Sequence, residues 1–155
     1  MADEAQLAIL RQGVEAWNKW RENFSGAIDL RGIEFVSEAL NEVNFSNADL
    51  RDSILRGSAF SRANLAQANL SHTDLSKANF SEANLHGANL ESANLHHAFL
   101  MVADLSGAKL IGSNLSSAEA WGANFTDAVL SKADVTDADF GGNHFVNELI
   151  ETFEI

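Results

Sequence analysis

The 155-residue chain is predicted to be an all-β solenoid, and three observations predict it. A large apolar residue recurs at every fifth position from Leu30 to Phe140 without insertion or deletion. Of these 23 centres 15 are Leu and six are Phe, and the other two are Val135 and Ala120. Two positions before each centre sits a small residue. From Ala48 to Ala138 it is Ala in 15 of 19 cases, with Ser53, Ser58, Thr73 and Ser113 as the rest. The other three positions of each pentad are mostly Asn, Asp, Ser, Gly and charged types, as in RANLAQANLSHTDLSKANF (62–80). A period of five fits neither the helix period of about 3.6 nor the strand period of about 2, so the chain must turn once per repeat. Small residue and centre are two apart, and in a short extended segment they point to the same side. With those two inward and the other three outward, each pentad supplies one short side and one corner of a coil.

The A(D/N)LxX pattern of residues 28 to about 140 resembles the pentapeptide-repeat family. The resemblance implies a right-handed quadrilateral β-helix with four pentads per coil, about six coils over residues 26–145. Residues 20 apart then stack in columns, such as Leu40, Phe60, Phe80, Leu100, Ala120 and Phe140. At about 4.8 Å per coil the rod would be roughly 29 Å long. The leading segment LAILRQGVEAWNKWRENF also resembles the opening of some cyanobacterial members of the family.

The ends of such a rod expose apolar residues and need covers. Residues 1–25 are expected to hold an N-terminal α-helical cap, one amphipathic helix from residue 4 to about 22. Asp3 with Gln6 resembles a capping box, and Leu7, Leu10, Val14 and Trp17 line one helix face. In 146–155, a C-terminal cap or tail, Val146, Leu149, Ile150 and Phe153 have the same spacing and predict a short helix. Three irregularities are expected between the ends. Glu38 falls on an inward position, and Ile28, Ile33 and Val43 exceed Ala there, so the first coil should be irregular. Ala120 leaves a shortfall that either stays void or is filled by Trp121 turning in. The Asn and Asp residues before the centres, such as Asn44, Asn64, Asn84, Asp104 and Asn124, should form ladders of amides bonded up the rod.

Composition excludes much chemistry. With no cysteine there is no disulfide, thiolate metal site or cysteine nucleophile. The absence of proline suits stacked short sides, which need every backbone donor. Net charge −12 argues against direct nucleic-acid binding and against anionic membranes. No apolar run approaches a membrane span, and Asp3 and Glu4 stand where a secretory signal would be basic. The expectation is a soluble, cytoplasmic protein. His72, His86, His96, His97 and His144 share no column one coil apart, and His96 and His97 should splay outward, so no metal site is predicted. The serines after the centres (Ser46, Ser61, Ser71, Ser76, Ser81) lack triad partners, and a regular rod offers no concave pocket. The chain is read as not an enzyme, with no cofactor.

One surface departs from the polar pattern. Phe99, Met101 and Val102 take the three outward slots around Leu100, and Trp121 stacks one coil above Met101. An exposed apolar patch with a Trp marks a protein interface. The expected function is therefore a protein–protein interaction or structural module. Its partner is an unidentified protein or a second copy, held through this patch or the C-terminal segment; relatives that resist topoisomerase poisons dimerise through their C-terminal ends. The resemblance also implies an alternative, since some relatives mimic B-DNA on a type II topoisomerase. From residue 26 on there are 18 acids and 7 bases, against about 17 phosphate charges on roughly 29 Å of duplex.

Overall fold

The computed structural model describes residues 1–143. Backbone bonds between coils, rather than long strands, hold it together. Each centre from Leu30 to Ala120 donates its N–H to a carbonyl nineteen positions on, as from Leu50 to Asn69 at 2.8 Å and from Leu90 to Lys109 at 2.7 Å. The residue before the centre donates in the other direction, as from Asn69 to Ala48 at 2.8 Å. The resulting parallel register, residue i beside residue i+20, runs from Ile28↔Ala48 to Glu119↔Asp139. Two segments, β1 (Ile28–Asp29) and β2 (Ala48–Asp49), are long enough to be strands; the other pairings are isolated bridges. A register of 20 places four pentads in each coil.

Strands stay short because a corner follows every centre. Each residue two positions past a centre, from Gly32 to Gly142, has φ between +55° and +69°, and sixteen of these residues are not glycine. That left-handed conformation costs an ordinary residue roughly 1–2 kcal/mol. The side chain before the centre offsets part of it. Asn94 Oδ1 accepts from the His96 N–H at 3.2 Å, and Asn114 Oδ1 accepts from the Ser116 N–H at 2.9 Å and the Ser116 hydroxyl at 2.6 Å. Asp74 and Asp134 do the same for Ser76 and Thr136. These local turns correct the expectation of continuous amide ladders. Among the described residues, side chains of this kind join coils only from Asn89 to Asn69, Asn94 to Asp74 and Asn124 to Asp104. The reason is proximity: each Oδ1 faces the N–H of its own corner first.

Inside, the Leu centres and the Phe centres other than half-buried Phe35 and Phe140 are buried in one continuous core, with the Ala residues filling the corners. Phe60 and Phe80, one coil apart, stack at 4.9 Å with their planes 5° from parallel. The hydroxyls that replace Ala are satisfied: Ser58 donates to the Phe35 carbonyl at 2.9 Å, Thr73 to Leu50 at 3.0 Å and Ser113 to Leu110 at 2.8 Å. Two expectations about packing need correction. Glu38 is exposed rather than inward; its N–H is held by the Ser58 hydroxyl at 3.0 Å, and with no coil beneath it this side of the first coil opens. Trp121 does not turn in to fill the space at Ala120. Ala120 is buried, and above it Phe140 meets Phe125 edge-on at 5.5 Å.

The N-terminal segment forms two helices rather than one. α1 (Glu4–Leu10) and α2 (Val14–Arg21) are separated at Gly13, whose φ of +107° suits glycine and breaks the helix. The Asp3 carboxylate caps α1 by accepting from the N–H groups of Ala5 and Gln6. The reciprocal half of the capping box is absent, because Gln6 is engaged elsewhere: its Nε2 donates to the Ala27 carbonyl and its Oε1 accepts from the Asp29 N–H, both at 2.9 Å. The Asp3 N–H meets the Asp29 carbonyl at 2.8 Å. On another side, Trp17 Nε1 donates to the Asn44 carbonyl at 2.8 Å, Asn18 Oδ1 accepts from the Asn44 N–H at 2.8 Å and Arg21 donates to the Ser46 carbonyl at 2.8 Å. These are the backbone groups that a preceding coil would have satisfied. Leu7, Leu10 and Trp17 are buried against the first coil, Val14 is half-buried, and Trp17 meets Phe45 edge-on at 5.6 Å. Val146, Leu149, Ile150 and Phe153 of the expected C-terminal helix lie outside the described residues.

Trp17→Ala should cost about 3–5 kcal/mol in urea-induced unfolding, because it leaves a cavity and orphans the Asn44 carbonyl. A second expectation concerns acid. Arg31 holds the Asp29 carboxylate at 2.6 Å, and this hydrogen bond lowers the Asp29 pKa from 3.8 to about 2. A carboxyl that titrates lower when folded adds stability at higher pH and loses it as pH falls from about 4 toward 2. Melting temperatures measured across that window should fall less steeply for Asp29→Asn than for the unsubstituted protein.

Candidate protein-binding face

Several of the residues with catalytic potential are used in the scaffold. His86 Nδ1 lies 2.9 Å from the Ser106 hydroxyl and His96 Nδ1 2.8 Å from the Ser116 hydroxyl, each pairing one coil with the next. His96 and His97 do not splay apart; their rings meet at 4.1 Å, tilted by 55°. Adjacent corner positions bring them together, since His97 turns back through a φ of +55°. Ser46, Ser71, Ser76 and Ser81 donate to the Asn or Asp two residues earlier, and the Ser61 N–H donates to Asn41 Oδ1. Among the described residues no group of His, Asp and Glu is arranged to hold a metal ion. The regular coils are flat, but the base is not: a groove of about 530 Å³ lies between α1 and the first coil, lined by Leu7, Arg11, Arg31, Glu34 and Asp52 among others. Arg31 in its wall is held by the Asp29 carboxylate, and its lining residues include no histidine or serine to act as base or nucleophile.

The apolar face is where the sequence places it. Phe99 is 36% exposed, Met101 39%, Val102 55% and Trp121 57%. The Val102 N–H donates to the Trp121 carbonyl at 3.0 Å, which stacks the two corners directly. Trp121 is supported from above. A Cβ at Gly141 would lie 2.8 Å from Trp121 Cδ1, and one at Gly142 3.4 Å from its Nε1. The two glycines thus let the indole lie against bare backbone while most of it faces solvent. This support was not read from the sequence, although consecutive glycines one coil above a Trp are a signal for it.

The face also gives up local stability. Val102 has φ +59°, and it alone among the sixteen non-glycine corner residues is β-branched. Such a residue is a true outlier in the left-handed region. Phe99 and Glu119 occupy the slots where Asn or Asp normally accepts from the corner, so the Met101 and Trp121 N–H groups have no side-chain acceptor among the described residues.

The pentapeptide repeat profile matches residues 23–57, 58–96 and 103–142, in eight copies. The chain belongs to the pentapeptide-repeat family. Pentapeptide-repeat proteins form right-handed β-helices and generally serve as structural or interaction modules. Among solved structures, this pentapeptide-repeat chain is similar to Rfr23 of the cyanobacterium Cyanothece 51142, at 26% identity over 76% of this chain and 87% of that one, with a TM-score of 0.43. It is similar to HetL, involved in heterocyst differentiation regulation in the cyanobacterium Nostoc sp. strain PCC 7120, at 32% identity over 75% of this chain and 61% of HetL, with a TM-score of 0.34. Full-length QnrB1, a plasmid-mediated fluoroquinolone resistance protein, matches at 20% identity over 81% of this chain and 99% of its own, with a TM-score of 0.26. No curated protein matches.

The strained corner of this pentapeptide-repeat protein gives a direct test. Val102→Gly should stabilise the fold by about 1 kcal/mol in chemical unfolding, because it removes the left-handed penalty at a side chain that fills no core space.

Proposed function

We propose that this chain is a non-catalytic pentapeptide-repeat module that binds a protein partner through Phe99, Met101, Val102 and Trp121. The observation that carries the reading is the exposed apolar cluster itself, set on a rigid scaffold whose other outward slots are mostly polar. Contiguous apolar surface rimmed by polar residues marks interaction sites, and a supported Trp is the kind of anchor on which binding energy concentrates. The engagement of His86, His96 and the Ser46, Ser71, Ser76 and Ser81 hydroxyls in scaffold bonds supports a non-catalytic role.

A second reading, an acidic mimic of DNA acting on a type II topoisomerase, rests on the excess of 22 acids over 10 bases. It is the weaker one. On the lower coils much of that charge is paired: Arg31 with Asp29, Arg51 with Asp49, and Arg62 between Glu42 at 3.5 Å and Glu82 at 3.4 Å. At roughly 29 Å the rod also falls short of one turn of duplex, about 34 Å.

Affinity capture from the native lysate with the unsubstituted protein and with Phe99→Ser combined with Trp121→Ser separates the readings. The interface reading expects a retained partner, or a self-associated state in sedimentation, that the double variant loses. If neither changes, the patch is not an interface. Inhibition of topoisomerase supercoiling at about micromolar protein, unaffected by the double variant, would favour the mimic instead.

A further inference from the structure

The charge around the apolar face specifies its partner more closely, taking the interface reading above as its basis. The two pentads that build the face, 98–102 and 118–122, contain one charged residue, Glu119. The pentads directly below and above, 78–82 and 138–142, contain Glu82 and Asp139. None of the four holds a Lys or Arg. The placement is close: Glu119 pairs with Phe99 on one side and Asp139 on the other across consecutive coils, and the Glu82 N–H donates to the Met101 carbonyl at 2.9 Å. Arg62 reaches Glu82 from below at 3.4 Å, which leaves Glu119 and Asp139, with no Lys or Arg partner among the described residues, as the rim beside the aromatic pair.

We infer that the face receives a polypeptide segment of another protein in which bulky apolar anchors are flanked by lysine or arginine. Apolar side chains would cover Trp121 and Phe99, and the flanking cations would lie over Glu119 and Asp139. The same rim disfavours the two other occupants. A second copy would bring identical carboxylates against these, in a chain of net charge −12. Residues 144–155 carry Glu148, Glu151 and Glu154 and no Lys or Arg. Like charges placed across an interface suppress pairing, and opposite charges speed and select it. The surface is also prepared in advance. Gly141 and Gly142 hold the indole, and the left-handed Val102 presents its branched side chain to solvent at a cost no interior contact repays. Strain kept at an exposed site points to a role outside the fold itself, and a pre-positioned anchor loses less freedom on binding.

The test uses the full chain and three synthetic peptides that share leucine anchors, lack Trp, and are flanked by lysine, serine or glutamate. Binding is read by calorimetry and by Trp121 emission, taken as the difference from Trp121→Phe. The lysine-flanked peptide should bind at least about ten-fold more tightly than the serine-flanked one, and the glutamate-flanked one more weakly still. Trp121→Ala should weaken the lysine peptide by about ten-fold or more. Glu119→Gln with Asp139→Asn should bring the lysine and serine peptides to similar affinity. Binding of all three alike, still lost in Trp121→Ala, would overturn the basic partner while leaving the interface reading intact. Binding of none, or binding indifferent to Trp121, would overturn the inference, and the lysate comparison would then judge the interface reading separately. A dimer in sedimentation that Trp121→Ala disperses would assign the face to a second copy. A Trp121 emission that shifts in Leu149→Asp with Phe153→Asp, without peptide, would assign it to the chain's own tail.

Discussion

The hydrogen bond from the centre N–H, at every pentad from Leu30 to Ala120, to the carbonyl nineteen residues on is the constraint from which the rest of the structure follows. It sets a register of 20, and a register of 20 with a turn every fifth residue permits four sides and no other number. Once the sides are that short, a backbone reversal is needed at each corner, and a left-handed residue supplies it. Side-chain identities then follow by position: bulk at the centre, a small residue where the corner crowds the interior, and an amide or carboxylate where it can catch the N–H of the corner. A five-residue motif is therefore not a packing unit by itself. It becomes stable when the coils above and below supply its bonds.

This dependence explains what could be read from the sequence and what could not. The inward positions are constrained by volume, so Leu, Phe and Ala repeat there without a break and the period is visible. The corner conformation is nearly invisible, because glycine occupies only seven of its positions between Gly32 and Gly142 and residues such as Gln67 and Lys77 fill others. Their tolerance comes from the bonds on either side rather than from their own preference. The single helix expected at residues 4–22 failed for a related reason. The apolar spacing of Leu7, Leu10, Val14 and Trp17 continues through Gly13, but the two halves are anchored to different sides of the first coil, Gln6 under Ala27 and Asp29 and Trp17 under Asn44. Those anchors are tertiary and leave no periodic trace.

The apolar face was legible because its side chains are the wrong type for outward slots, which is a statement about composition alone. Its strain and its support required coordinates. Val102 looks unremarkable as one valine among many until its φ is known, and the two glycines above Trp121 look like ordinary turn residues until the indole is found against them. Together with the missing amide at Phe99 and Glu119, they make a corner in which several local preferences are set aside at once. The proposed binding role rests on this coincidence of an exposed aromatic pair, a left-handed valine and bare backbone at one corner.

The helices at the base have a consequence for assembly. A bare lowest coil would present unpaired donors and acceptors to any other strand, as open sheet edges do. Here Asp3 and Gln6 occupy those groups at residues 27–29, and Trp17, Asn18 and Arg21 occupy them at 42–46. A copy arriving from below would find no free backbone template on those two sides unless it first displaced both helices.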